Sequence, residues 1–404
     1  MRQNHAIIKA AKHHIILPME IPYILNELGE DRSLYFNAVA PPIMQTSNFV
    51  FDSFDEVKKA FEDEDSSYLY SRGKNPTIEI LRKKLAALDG AEDALVFNSG
   101  ASAIYCSVIA NVKTGDHIIS VKKPYSWASR LFDNMLPRFG ISTTYIDGTD
   151  IENFKTALRP ETRIIYLESP NSLTFELQDI EAVASFAKSH NIITIIDNSY
   201  CTPLYQQPLA MGIDLCIQSA TKYLGGHSDT IAGVLTGKQE TLQKIFFEQL
   251  LNNGSGISPF NAWLILRGLR TLPVRLAHIS ETTKKVIAYL KTHPKIEKVL
   301  FPLDNDFPQR ELAQKQMKGA GGLFTIILKS DSYCQIEKFT YTLKHFLVAV
   351  SWGGHESLIL PQAAGIGSEK FDPKIALHRM ARVYIGLEDA DYLIADLEQA
   401  LEVL

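Results

Sequence analysis

Through the middle of the chain, short apolar runs recur with helix-length stretches between them. The runs are "DALVFNSG", "DHIISV", "STTYID", "TRIIYLESP", "IITIIDN", "IDLCIQS" and "TIAGVLTG", each with a core of four to eight residues rich in β-branched side chains. That rhythm predicts a largely parallel sheet covered by helices. Upstream, "DSFDEVKKAFEDED" and "NPTIEILRKKLAALDG" have helical spacing, the second stopping at Gly90, and they flank the loop "YLYSRGKNPT". Downstream of "NNGSGISPFNAW" a helical region around "LILRGLRTLPVRLAHISETTKKVIAYLKTH" leads to further strand-like runs, "GLFTIILK", "HFLVAVS" and "ARVYIGLE". The expectation is an α/β chain with a large, mostly parallel-sheet domain and a smaller C-terminal α/β domain. Its divisions are an arm and start of the fold over 1–60, a first domain over 61–256 and a second over 257–404. No tandem repeat or long Gly/Ser linker interrupts it, so the lobes should pack together.

The 404 residues, 46% hydrophobic and 22% charged, suffice for one large core and a smaller lobe. A formal net charge of -5 gives no global reason to bind nucleic acid or an anionic membrane, which leaves small molecules as the default ligands. Cys106, Cys201, Cys216 and Cys334 form no CxxC pair, so reduced core thiols are expected rather than a zinc site or disulfide scaffold. His227 and His355 lack partners at metal-ligand spacing and are expected to make local hydrogen bonds, with no metal site. The N-terminal stretch is mildly basic and partly apolar, but His13, His14, Pro18 and Glu20 interrupt it before any bilayer-length run. A cytoplasmic protein with a loosely structured arm is expected.

Two polar residues end two successive strand-like runs: Asp197 in "IITIIDN" and Lys222 just past "IDLCIQS". In an open parallel sheet ligands bind outside the carboxyl ends of strands, so one ligand could meet both. Pyridoxal phosphate (PLP) needs such a pair, a lysine for its aldehyde and a carboxylate to hold its pyridine nitrogen protonated. Ser219 and Thr221 in "SATK" offer hydroxyls toward a phosphate. "NSGAS" follows a strand and opens a helix, where Gly100 permits close backbone approach and free N–H groups await an anion. Taken singly, a strand-end Asp is often a cap and a surface Lys commonplace; their joint order is what points to the cofactor.

With these pieces in place, the chain from about Asn37 to Leu404 resembles the Cys/Met-metabolism family of fold type I PLP enzymes. The blocks "AVAPPIMQTSNFVF", "YSRGKNPT", "IIDN", "SATKYLGGHSD", "SWGGHESL" and "RVYIGLED" are similar to family blocks in the same order. The resemblance implies that Lys222 bonds to the cofactor and shuttles protons while Asp197 pairs with the pyridine nitrogen. It implies that Tyr70 and Arg72 reach a neighbouring subunit's cofactor phosphate, in at least a dimer and usually a tetramer. Tyr125 would stack on the ring and exchange protons, the backbone at Gly100 and Ala101 would meet the phosphate, and Arg382 would grip the substrate carboxylate, with Ser351 and Trp352 also at the substrate. Two departures are visible: Ala101 stands where the family often has Met, and Ser172 in "ESPNSLTFELQDI" stands where many relatives place an asparagine near the cofactor.

Within the family, "ESPxSxT", "SWGGxESL" and the terminal "GLEDxDxLIADL" are similar to bacterial cystathionine β-lyases, and Trp352 replaces the leucine frequent in γ-lyases and synthases. Methionine γ-lyases carry a cysteine beside the stacking tyrosine, and Ser126 follows Tyr125 here, which disfavours that activity. The expected reaction is β-elimination of cystathionine to homocysteine, pyruvate and ammonia, a step of transsulfuration and methionine biosynthesis. The alternatives are γ-position chemistry, as cystathionine γ-synthase, cystathionine γ-lyase or acylhomoserine sulfhydrylase, and more remotely a non-catalytic PLP-binding regulator.

Overall fold

The structure, a computed structural model, describes residues 20–404. The first 19 residues of the expected arm lie outside the described residues. Strands β1 (Asp93–Phe97), β2 (His117–Val121), β3 (Ser142–Ile146), β4 (Thr162–Glu168), β5 (Ile193–Asp197), β6 (Leu215–Ser219) and β7 (Gly233–Gly237) form a seven-stranded sheet. Its order is β1-β7-β6-β5-β4-β2-β3, parallel from β6 through β3, with β7 antiparallel to both its neighbours. Every apolar run singled out in this part of the sequence is one of these strands.

The runs are apolar throughout because both faces are covered. Side chains alternate across a strand, and along β4 Ile164 and Tyr166 enter one hydrophobic cluster while Ile165 and Leu167 enter another. Ile195, Leu215 and Ile217 join the first cluster, and Ile196 and Cys216 the second. The helix Gly100–Ile109 covers the first face with Ala103, Ile104, Cys106 and Val108. The helix Ile180–Ser189 covers the second with Ile180, Val183, Ala184 and Ala187.

A second sheet, order β10-β11-β12-β9-β8, contains β8 (Ile296–Leu300), β9 (Leu323–Leu328), β10 (Leu347–Val348), β11 (Leu358–Pro361) and β12 (Met380–Tyr384). The long helix Leu272–Thr292 precedes it, and one apolar cluster runs from that helix across β9 and β12 to Tyr223 and Leu224 beside the large sheet. Two expectations change here. Only Leu347 and Val348 of "HFLVAVS" pair as a strand, and β8 and β11 went unread. Cys106, Cys201 and Cys216 are buried free thiols as expected, but Cys334 is exposed.

The start of the described chain is pinned rather than loose. Lys84 Nζ donates to the carbonyls of Ile24 (2.8 Å) and Leu25 (3.2 Å) and lies 3.1 Å from the buried Glu30 carboxylate, which also accepts from Arg270 at 3.0 Å. Among the described residues no helix is long and apolar enough to cross a membrane.

Candidate active site

The carboxyl ends of β4, β5 and β6 carry Glu168, Asp197 and Ser219. Strand alternation puts all three on the face of Tyr166, Ile195 and Ile217, beneath the helix Gly100–Ile109. Register places Glu168 directly opposite Asp197. Asp197 Oδ1 accepts from the Ser199 backbone N–H (2.9 Å) and hydroxyl (2.6 Å), leaving Oδ2 for another donor. Ser199 Oγ in turn accepts from the Ser219 N–H at 2.6 Å, so one serine ties the ends of β5 and β6 together. Burial pushes the Asp197 carboxyl up, opposed by the Ser199 bonds and the charge of Lys222.

Lys222 follows β6 in a turn closed by its N–H on Ser219 O at 3.0 Å. Its Nζ donates to Ser351 Oγ at 2.5 Å and sits 5.3 Å from the centre of the Trp352 ring. Burial and the charge of Arg382 pull the ammonium down to about 8, against the pull of Asp197. Trp352 packs on Tyr223 with ring centres 5.4 Å apart, and the Tyr223 hydroxyl accepts from the Gly322 N–H at 2.7 Å. Ser351 and Trp352 are expected at the substrate with Arg382. The fold brings them equally against the lysine, with Arg382 donating to Ser351 O at 3.4 Å.

At the other end, Ser99 caps the helix by accepting from the Ser102 N–H at 3.1 Å, and Gly100 and Ala101 begin its first turn, whose N–H groups have no partner within the helix. A Cβ on Gly100 would stand 3.3 Å from the Ser219 side chain, so helix end and strand end are in close approach. Among the described residues Ser219 Oγ makes no hydrogen bond, which leaves it free for an anion; Thr221 instead exchanges hydrogen bonds with the Ala232 backbone (3.2 and 3.0 Å). The Thr221 hydroxyl is thus engaged with the Ala232 backbone in this structure.

Tyr125 stands at the start of the helix Ser126–Arg130, 42% exposed, with its backbone N–H donating to Glu168 Oε2 at 2.6 Å. Burial and the carboxylates of Asp197 and Glu168 raise its phenol, which holds it protonated. Ser172 does fall beside this group, its N–H donating to Glu168 Oε1 at 3.2 Å, while Asn171 Oδ1 accepts from the N–H groups of Leu173, Thr174 and Phe175 and so shapes the turn. Glu168 was missed in the sequence, although an acid ending an apolar run was the signal that singled out Asp197.

Tyr70 and Arg72 are not brought to this group within the chain. They lie on the loop before the helix Pro76–Asp89, both exposed, with the Arg72 guanidinium 5.6 Å from the Tyr70 ring centre. His227 and His355 make local contacts, to Gly225 O at 2.7 Å and Glu356 at 3.2 Å. Among the described residues no group of three or more His, Cys, Asp or Glu is placed to hold a metal. A groove of about 770 Å³ along the helix Leu272–Thr292, lined by Tyr205, Lys284, Phe301 and Lys318, includes none of the strand-end residues.

Comparison with known proteins decides the family. The model of the Cys/Met metabolism PLP-dependent enzymes matches residues 24–402. This chain belongs to that family. It is 39% identical to an L-methionine gamma-lyase of Treponema denticola over 376 residues, 91% of this chain and 94% of that protein. It is 35% identical to a cystathionine beta-lyase of Lactococcus lactis over 370 residues, 90% of this chain and 94% of that one. The crystal structure of metB from Corynebacterium glutamicum superposes with a TM-score of 0.87 at 31% identity, covering 95% of this chain and 98% of that one. The protein is therefore a fold type I PLP-dependent enzyme of the lyases of sulfur amino-acid metabolism.

The residues present fit the cofactor. Asp197 Oδ2 is unclaimed by Ser199, Lys222 lies half-buried just past the adjacent strand's end, and Gly100 leaves the helix start open beside the free Ser219 hydroxyl. When bound, PLP supplies an electron sink for the α-carbon of an amino acid.

Proposed function

We propose that this enzyme is a carbon-sulfur β-lyase that converts cystathionine and water to homocysteine, pyruvate and ammonia. In this reading Arg382 binds the α-carboxylate and Lys222 Nζ, as the free amine, takes the α-proton. The Cβ–S bond then breaks, and the departing sulfur takes a proton from Lys222 or from the neutral Tyr125 hydroxyl. Hydrolysis of the remaining three-carbon unit gives pyruvate and ammonia. Asp197 Oδ2, Gly100, Ala101 and Ser219 hold the cofactor. Tyr70 and Arg72 serve the site of a neighbouring subunit in a homo-oligomer, a tetramer of paired dimers. Their exposure, shared with Val50 (95%) and Phe54 (95%) on the same part of the chain, supports that assignment.

The observation that carries β- over γ-chemistry is the seat of Lys222 Nζ, between Ser351 Oγ and the Trp352 indole. A γ leaving group requires a second proton removal, at the β-carbon, and in this reading the Ser351 hydrogen bond and the indole hold Nζ for a single site of proton transfer. A second reading, γ-elimination from methionine, is favoured by the 39% identity to the Treponema denticola enzyme, against the serine at position 126. Purified holoenzyme given cystathionine and methionine in separate reactions distinguishes them. Homocysteine with pyruvate from cystathionine supports the first reading; 2-oxobutyrate, from either substrate, supports γ-chemistry and defeats it.

A further inference from the structure

Glu168 is a buried carboxyl that the reaction above does not use. It ends β4 directly opposite Asp197, one oxygen accepts from the Tyr125 backbone N–H, and the other accepts from the Ser172 N–H. It therefore joins two loops that approach the cofactor pocket from different strands. The second loop also reaches the small sheet: Leu173 O accepts from the Thr325 hydroxyl at 2.8 Å, and Thr325 on β9 is paired with Arg382 on β12. One residue is thus linked on one side to the backbone of Tyr125 and on the other, through the Ser172 turn, to the strand pair that carries Arg382.

We propose that Glu168 is a positioning residue that holds Tyr125 and the Ser172 turn in place and, through its charge, sets how strongly Arg382 attracts a substrate carboxylate. The charged and titratable groups facing it are Asp197 on β5, Tyr166 on its own strand, Tyr125 after β2, and Arg382 on β12, with Lys222 beyond Asp197. Two carboxylates side by side in a buried site do not both ionise readily. Each carboxyl accepts two hydrogen bonds and has one cation facing it, Lys222 for Asp197 and Arg382 for Glu168; burial pushes both up, and with Asp197 beside it Glu168 rises to about 8. Below that pH Glu168 is neutral and the Arg382 charge is available to substrate. Above it, the Glu168 carboxylate faces Arg382 as an opposite charge and offsets part of the attraction the guanidinium offers a substrate carboxylate. Tyr166, fully buried with its hydroxyl unpartnered, lies on the same face and adds to the low polarity around the pair.

The charge effect rests on the reading of Arg382 as the carboxylate grip, and the test separates the two. Inhibition of the holoenzyme by propionate, which has no amino group to titrate, is measured from about pH 6.5 to 9.5. In the native enzyme the inhibition constant should rise about ten-fold through the Glu168 ionisation, and in Glu168→Gln it should change less than about two-fold. Glu168→Asp keeps an ionisable group, so its rise should persist with a shifted midpoint, and this arm serves if the Gln variant does not fold. Arg382→Ala should weaken propionate at every pH by more than about ten-fold. If Arg382→Ala leaves propionate binding unchanged, the grip reading falls and the charge effect with it. If Arg382→Ala weakens binding while Glu168→Gln keeps the native rise, or Glu168→Asp keeps the native midpoint, the inference about Glu168 alone is overturned.

Discussion

The carboxyl edge of the seven-stranded sheet and the segment from Ser351 to Gly354 meet at one lysine, yet they are built in opposite ways. On the sheet side, Glu168, Asp197 and Ser219 take their places from strand register and alternation, backed by apolar clusters on both faces. On the other side there is no regular element. Ser351 sits at φ 78° and Gly353 at φ 91°, and a Cβ on Gly353 would stand 2.8 Å from Lys222 Cα. That segment is held by the Tyr384 hydroxyl on Gly354 O at 2.7 Å and by Trp352 on Tyr223. A paired sheet edge resists change because moving one residue disturbs its neighbours' ladder. A left-handed, irregular segment can be rebuilt locally, and it is where backbone strain is tolerated for a functional placement. The contrast suggests a division of labour, with cofactor binding on the rigid edge and choice of substrate on the segment that faces it.

That division can be broken at the point where the two sides meet. Lys222→Ala should lower turnover by ~10³-fold or more, because in the proposed reaction it removes the group that takes the α-proton, and steady-state pyruvate formation measures it. Gly353→Ala forces a side chain into Lys222 at a φ that favours glycine; a displacement of the lysine of about 1 Å should cost about 100-fold in kcat. Cofactor content should stay near native in that variant, since Asp197, Gly100 and Ser219 are untouched, while the absorbance of the lysine-bound cofactor should shift. Ser351→Gly keeps the left-handed backbone without the strained Cβ and removes the acceptor for Lys222 Nζ, so a loss of about ten-fold in kcat with stability at or above native is expected. Ser351→Ala should show the same loss of turnover, and in a denaturant melt it should be about 1 kcal/mol less stable than Ser351→Gly, because serine and alanine both keep the Cβ that is strained at this φ.

The same contrast explains what the sequence made legible. β1 to β7 stood out because burial on both faces makes each run continuously apolar, and Asp197 and Lys222 stood out as polar ends to such runs. β8 was passed over because Glu297 and Lys298 face outward inside it, and β11 because it is short and closes on Pro361. β10 is a two-residue pair at the sheet edge with both side chains exposed, so little of the apolar run around it was needed for pairing. Glu168 carries the same local signal as Asp197, and only register shows the two carboxyls to be neighbours. The contact between Lys222 and Ser351 spans 129 residues and depends on how the second sheet packs, which no local pattern encodes.

The most direct test of the division of labour is the specificity ratio of Trp352→Leu, taken as kcat/KM for cystathionine over kcat/KM for methionine in fully loaded enzyme. If substrate choice resides in the segment facing the sheet, the ratio should fall by about ten-fold or more while PLP content and affinity remain native. An unchanged ratio, with both substrates affected equally, or a loss of PLP from the variant, would contradict it.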